Sequence, residues 1–225
     1  MLTFIITAGG IGKRMGGSIP KQFLLLNDKP ILMHTIERIH AFDAAAELIV
    51  TLPVDYLKDW DEMCQKYAFQ IKHEVVSGGE ERFDSIKNAL EKANGDWIAI
   101  HDGVRPFVSQ RVLTELLVEV KKHRAVIPTI PVKESLRLVE GENSAAVPRN
   151  HYQIVQTPQV FESKLIKKAY EQKYALTFTD DASVVESIGA RIHLVSGNEE
   201  NIKITNRIDL SIAGLILKDW TAKSD

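Results

Sequence analysis

Leu2-Thr-Phe-Ile-Ile-Thr7 runs directly into Ala8-Gly-Gly-Ile-Gly-Lys-Arg-Met-Gly-Gly-Ser-Ile-Pro-Lys21, and this junction decides the fold. The apolar run lacks the basic leader of a signal peptide and is too short to span a membrane, so it reads as a buried first strand. The glycines that follow let backbone N–H groups converge on an anion, and Lys13, Arg14 and Lys21 add positive charge with no acid among them. The segment is built for a polyphosphate. Two familiar phosphate loops do not fit it. A dinucleotide fingerprint starting at Gly10 and Gly12 wants Gly or Ala at Met15 and a helix beginning there, which Gly16, Gly17 and Pro20 oppose. A Walker A loop needs Ser or Thr after Gly12-Lys13, where Arg14 stands.

Outward from this junction, short apolar runs alternate with helical periodicity. Strands are expected at 2–7, 47–52, 73–77, 97–101 and 191–195. Between them Ile31, Leu32, Thr35, Ile36 and Ile39 share one helical face, as do Phe83, Ile86, Leu90 and Ala93, and a further helix is expected at 56–67. Ser109 is placed to cap a helix carrying Val112, Leu113, Leu116, Leu117 and Val120. Helices are expected near 163–174 and 180–188, with a last one from Asn206, where Asp209 completes a capping box. This alternation predicts an α/β fold: a doubly wound, mainly parallel sheet with helices on both faces and ligands outside the carboxyl ends of the strands. The run 132–152 breaks the rhythm, because Ser135-Leu-Arg-Leu-Val139 and Ala145-Ala-Val147 flank a polar turn. It reads as a protruding β-hairpin arm, and since a lone hairpin is marginally stable, as a dimerisation element of one domain spanning 1–225.

Composition narrows the function. The 225 residues carry a formal charge of -2, which does not supply the basic face of a nucleic-acid binder, and the sparse aromatics form no base-stacking platform. No membrane or nucleic-acid partner is expected, and the protein reads as cytoplasmic. Cys64, the one cysteine, can make no internal disulfide and reads as inert packing.

Ala8-Gly-Gly-x-Gly-x-Arg-Met15 followed by Pro20-Lys-Gln22 resembles the signature of sugar-phosphate nucleotidyltransferases, and more narrowly of the 2-C-methyl-D-erythritol 4-phosphate cytidylyltransferases of isoprenoid precursor synthesis. The likeness continues through Gly78-Gly-x-x-Arg-x-Asp-Ser85, His101-Asp-x-x-Arg-Pro106, Arg149-Asn150, Gln156-Thr-Pro-Gln159, Thr179-Asp-Asp-Ala-Ser183 and Asn201-Ile-Lys-Ile-Thr205. It implies a Rossmann-like nucleotidyltransferase fold, a homodimer, and transfer of a cytidylyl group from CTP to a small polyol phosphate. Ribitol 5-phosphate cytidylyltransferases share the first loop and the Gln-Thr-Pro-Gln block, and are the alternative. Gly9 and Gly103, where the methylerythritol branch often has Ala, and Ser135, where it commonly has Thr, depart from the pattern. A glycosyltransferase would carry an Asp-x-Asp metal motif, absent here, and a dead nucleotide-binding module would have lost Arg14 or Lys21.

On this resemblance Arg14, Lys21 and Lys203 are the catalytic cations, and Ala8, Gly9, Gly10, Gly12, Gly79, Glu80 and Ser85 contact the nucleotide. Asp102, Arg105, Ser135, Arg149, Thr157 and Thr179 serve the acceptor. Asp102 ends a strand at the carboxyl edge and either holds Mg²⁺, the expected cofactor, or meets the acceptor. Arg105 either binds acceptor phosphate or pairs with Asp102, and Glu80 either touches the ribose or caps the helix. His101 reads as structural.

Overall fold

The computed structural model describes residues 1–9 and 20–222. At its centre β1 (Leu2–Thr7) pairs in parallel with β4 (Glu47–Leu52) on one side and β6 (Trp97–Asp102) on the other, and β5 (Glu74–Ser77) extends the β4 side. These strands are continuous apolar runs because both faces are covered, and alternate side chains go to opposite faces. Phe4, Ile6, Val50 and Ala99 pack with Leu32, Met33 and Ile36 of α1 (Ile31–Phe42), Trp60 of α2 (Leu57–Lys66), and Val112 and Leu116 of α4 (Gln110–His123). Ile5, Ile49, Ile98 and Ile100 pack on the other face with Phe83 and Ile86 of α3 (Arg82–Lys92), Ile166 of α5 (Ser163–Ala169) and Val185 of α6 (Asp181–Glu186). A third cluster, centred on Phe107, Ile31 and Ile204, is closed by α7 (Arg207–Ala222) through Ala213 and Trp220.

The doubly wound, mainly parallel reading holds, with most of the parallel ladders in this half of the sheet. Beyond β6 the sheet turns mixed, which the sequence reading omits. β7 (Ala125–Pro131) is antiparallel to β10 (Gln153–Val155) and β11 (Gln159–Glu162) along one edge and parallel to β12 (His193–Ser196) along the other. β11 in turn pairs antiparallel with β6, which joins the two halves. β7 escapes a sequence reading because Pro128 and Pro131 argue against a strand interior. Pro128 is accommodated where the neighbouring ladder breaks: Val155 faces Thr129 and Val160 faces Val126, so the 156–159 segment bulges out opposite it. That segment carries the cis bond between Thr157 and Pro158.

β2 (Leu25–Leu26) and β3 (Lys29–Pro30) pair as a short antiparallel ladder before α1, and the expected arm is present as β8 (Leu136–Glu140) and β9 (Asn143–Val147), a separate two-stranded sheet with Gly141 at φ 61° in its turn. Caps follow the expected chemistry: Ser109 Oγ accepts from the Val112 N–H, and Asn206 and Asp209 bond reciprocally. α5 ends at Ala169, earlier than the 163–174 expected, because the chain turns there to pack Tyr170 and Phe178 against Phe83. Burial pushes the Cys64 thiol up to about 11, in keeping with inert packing. Among the described residues no helix is long and apolar enough to cross a membrane.

The 156–159 segment is locked by buried glutamines. Gln156 Nε2 donates to the Asn198 carbonyl at 2.9 Å, and Gln159 Nε2 donates to Asp180 Oδ2 at 2.8 Å while its Oε1 accepts the Ala182 N–H at 2.9 Å. Gln159→Leu keeps the volume but orphans both partners at the start of α6, and should cost about 2 kcal/mol. Urea denaturation checks this, and a loss below about 0.5 kcal/mol would show that water replaces the glutamine.

Candidate active site

The parallel strands deliver their carboxyl ends to one level, with Thr7 in register with both Thr51 and Asp102. Above them lies a cleft of about 370 Å³ lined by Thr7, Ala8, Gly9, Lys21, Gln22, Gly79, Glu80, Glu81, Arg82, Ser85, Asp102, Val104 and Lys203. The volume suits a small-molecule site. Gln22 anchors the return of the first loop by donating to the Ala8 carbonyl at 2.6 Å.

The wall from Gly78 to Ser85 is shaped by one hydroxyl. Ser85 Oγ accepts the Gly79 N–H and donates to the Glu81 carbonyl, both at 3.1 Å. Gly79 is required because a Cβ there would lie 2.3 Å from Asp84 Cβ. Glu81 and Asp84 form the capping box of α3, so of the two readings of Glu80 the cap falls to its neighbour, and Glu80 lines the cleft.

Asp102 lies on the floor, with its Oδ2 3.0 Å from both Arg105 Nε and Lys203 Nζ. Burial opposes its ionisation, but Lys203, Arg82 and Arg105 together hold the carboxyl well below the usual range. Arg105 Nη1 also donates to the Asn201 carbonyl at 2.8 Å, and its pairing with Asp102 is the second of the two readings the sequence leaves open. Asp102 Oδ1 takes no hydrogen bond from a described residue.

Behind Asp102 runs a relay whose proton positions follow from its ends. His101 Nε2 is 3.0 Å from the Arg105 carbonyl, which can only accept, so Nε2 carries the proton and Nδ1 accepts from Thr157 Oγ1 at 2.9 Å. Thr157 Oγ1 in turn accepts the Asp102 N–H at 3.0 Å. Its one proton is therefore spent on His101. Thr157, expected on the acceptor side, is buried behind Asp102, and the residues lining the cleft do not include it. Asn201 Nδ2 donates to the Thr157 carbonyl at 2.8 Å, tying this block to the segment that carries Lys203.

Sequence reasoning missed Arg82 and Asp181 as a pair. Arg82 forks onto the fully buried Asp181 at 2.8 and 2.6 Å, Tyr170 donates to the same carboxylate at 2.6 Å, and the Arg82 side chain, about a third exposed, lines the cleft. Both residues stand inside recognised blocks, but only the fold joins positions 99 residues apart.

The cleft thus gathers Ala8, Gly9, Lys21, Gly79, Glu80, Ser85, Asp102 and Lys203, with Arg105 bound to its floor. Thr179 lines a separate 190 Å³ pocket beside Phe83 and Tyr174 that shares Glu81 and Arg82 with it. Asp180, not Thr179, caps α6. Ser135 and Arg149 are exposed at the arm, with Arg149 donating to the Lys133 carbonyl, and neither lines the cleft of its own chain. Gly10, Gly12 and Arg14 lie outside the described residues.

The family model described as 2-C-methyl-D-erythritol 4-phosphate cytidylyltransferase matches residues 2–219. The chain belongs to this family. Relatives of that name from Bacteroides fragilis and Phocaeicola vulgatus are each 50% identical, over 96% and 95% of this chain and 99% and 98% of theirs. Among solved structures, 4-diphosphocytidyl-2C-methyl-D-erythritol synthase from Anaerococcus prevotii superposes with a TM-score of 0.82 at 26% identity, covering 96% of each chain. The cytidylyltransferase from Thermus thermophilus gives 0.79 at 29%, covering 96% of this chain and 98% of that one. The chain matches 53% of a bifunctional protein from Campylobacter jejuni, with a TM-score of 0.81 at 28% identity over 94% of its own length. As a member of the family the chain is a cytidylyltransferase, and the likeness to solved members agrees with the α/β reading.

Burial is the main reason that the His101 imidazole is pushed down to about 4 from 6.5. Between those values the unfolded chain binds a proton that the folded chain refuses, so stability falls as pH drops through the window, by up to about 3 kcal/mol. Urea denaturation at pH 7 and pH 5 should show this slope, and His101→Gln, though less stable overall, should flatten it. An unchanged slope in that variant would mean that the pH dependence does not come from His101.

Proposed function

We propose that this chain transfers the cytidylyl group of CTP to 2-C-methyl-D-erythritol 4-phosphate, giving 4-diphosphocytidyl-2-C-methyl-D-erythritol and pyrophosphate in isoprenoid precursor synthesis. The observation that carries this reading is the convergence of Lys21, Arg82 and Lys203 on a nucleotide-sized cleft whose floor is the ionised Asp102. An acceptor phosphate oxygen bonds to the α-phosphorus of CTP as the bond to the bridging oxygen breaks and pyrophosphate leaves. The acceptor is already anionic, so the protein needs no nucleophile of its own; it positions both substrates and neutralises the charge that builds on the phosphoryl oxygens.

In this reading Lys21 and, from the sequence, Arg14 face the triphosphate, Lys203 meets the reacting phosphates from its seat on Asp102, and Ser85 keeps the Gly79 wall in shape for the nucleoside. Asp102 suits a Mg²⁺ that arrives with the nucleotide: Oδ2 is occupied by cations, while Oδ1 can give the single carboxylate bond such an ion asks for. When bound, the ion would neutralise triphosphate charge. Arg105 is better suited to holding Asp102 than to meeting the acceptor.

Ser135, Arg149 and Thr179 are proposed to complete the acceptor side, the first two across a homodimer. Leu138 and Val139 of the arm are exposed and want a covering surface, and a second copy of the chain would bring Arg149 to the neighbouring cleft. The proposed location is the cytoplasm.

A comparison of kcat/KM over polyol phosphates and nucleoside triphosphates tests the substrates, with the highest value expected for CTP and methylerythritol phosphate; a higher value for ribitol 5-phosphate overturns the acceptor. Lys21→Ala and Lys203→Ala should each lower kcat about 10²-fold or more. Mixing Lys21→Ala and Arg149→Ala chains should restore activity once subunit exchange is verified, because one composite site is then intact. Exchange without recovery would place Arg149 in its own chain's service or outside the reaction.

A further inference from the structure

We propose that Glu119, His123 and His193 form a surface site for a divalent d-block metal ion, apart from the cleft and stapling the edge strand β12 to α4. Glu119 and His123 are four residues apart on α4, so they share a helix face, and His193 opens the strand packed beside it. One ligand atom from each of the three lies within 4.8 Å of the others. Glu119 Oε2 is 3.4 Å from His123 Nε2 and 3.8 Å from His193 Nε2. Donors bound about 2.0–2.1 Å from a tetrahedral ion lie roughly 3.3 Å apart, so small side-chain movements close the site.

The surroundings favour a cation. The two imidazoles stack with centroids 3.7 Å apart and planes 5° from parallel, presenting both Nε2 atoms to the same carboxylate oxygen. Their side chains are 41% and 38% exposed, which leaves them free to turn out of the stack until both lone pairs meet one ion. Lys122 binds the other carboxylate oxygen at 2.7 Å, which leaves Oε2 facing both imidazoles. The site also lies on the last turn of a fourteen-residue helix, where the helix dipole attracts positive charge. Two imidazoles and one carboxylate match Zn²⁺ and its d-block neighbours, whereas Mg²⁺ and Ca²⁺ ask for oxygen ligands. Such an ion would pin a strand that pairs only with β7 among the described residues.

Calorimetric titration of ZnCl₂ into the full, untagged chain in phosphate-free buffer tests the proposal. Wild type should bind one ion that His123→Ala and His193→Ala each weaken by at least tenfold and Asp102→Asn leaves unchanged. Co²⁺ in place of Zn²⁺ should give the intense visible bands of a four-coordinate ion, lost in both histidine variants, while kcat with Mg²⁺ and CTP stays at the wild-type value. Matching melting temperatures in EDTA verify that the variants fold. No Zn²⁺ binding to wild type, equal binding in the histidine variants, or loss confined to Asp102→Asn would each overturn it and leave an ordinary cluster of paired surface charges.

Discussion

A buried carboxylate surrounded by cations is the constraint around which this molecule is arranged. Asp102 ends β6 with its carboxylate almost wholly buried, and its charge is tolerable because Arg105 and Lys203 share one oxygen at 3.0 Å with Arg82 nearby. Each cation comes from a different part of the chain: the turn after β6, the segment after β12, and the start of α3. Satisfying one charge therefore fixes the relative positions of three segments, and these border the cleft. The arrangement also fixes the two guanidiniums through more than one contact each, which is the preorganisation that phosphoryl chemistry rewards.

The Gln-Thr-Pro-Gln block supports this centre from below. Gln156 reaches the 198–201 loop, Thr157 the backbone of Asp102, and Gln159 the cap of α6, so adjacent side chains tie three elements to one bulge. A block that looks like a recognition motif is, in the fold, largely a clamp. Its polar atoms are buried and engaged, and losing any of them would leave a partner unsatisfied.

Much of this was legible in the chain itself. Continuous apolar runs identified the parallel strands, helical periodicity found the buried faces of α1, α3 and α4, and Ser109 and Asn206 marked helix starts through local chemistry. The antiparallel half was not legible, because β7 carries two prolines and β10 and β11 are three- and four-residue strands set apart by a bulge. Within the site, glycines and cations announced themselves by type and spacing. The partnerships of Arg82 with Asp181 and of His101 with Thr157 did not, since nothing local distinguishes them from surface charges or a cap. Gly9 shows the same limit: an alanine there would bring its Cβ within 3.2 Å of Ser85 Oγ, a relation visible only once the loop and α3 meet.

The balance of charge within the protein explains how so many cations can gather at one cleft. Without a ligand, Asp102 offsets the mutual repulsion of Lys203, Arg105 and Arg82, and Asp181 offsets Arg82 from the other side. Arg82 and Arg105 are held by forked or double contacts that fix their planes, whereas Lys203 meets Asp102 through one flexible ammonium that is 41% exposed. An arriving phosphate can recruit Lys203 by a short swing of its stem while the two guanidiniums stay where they are. The carboxylate left behind keeps Arg105 as its partner, so ligand entry need not strand a buried charge. The contacts of Asp102 thus divide its partners into two arginines fixed in their planes and one lysine held through a single ammonium, and in the proposed reaction that lysine is the partner freest to follow an arriving phosphate.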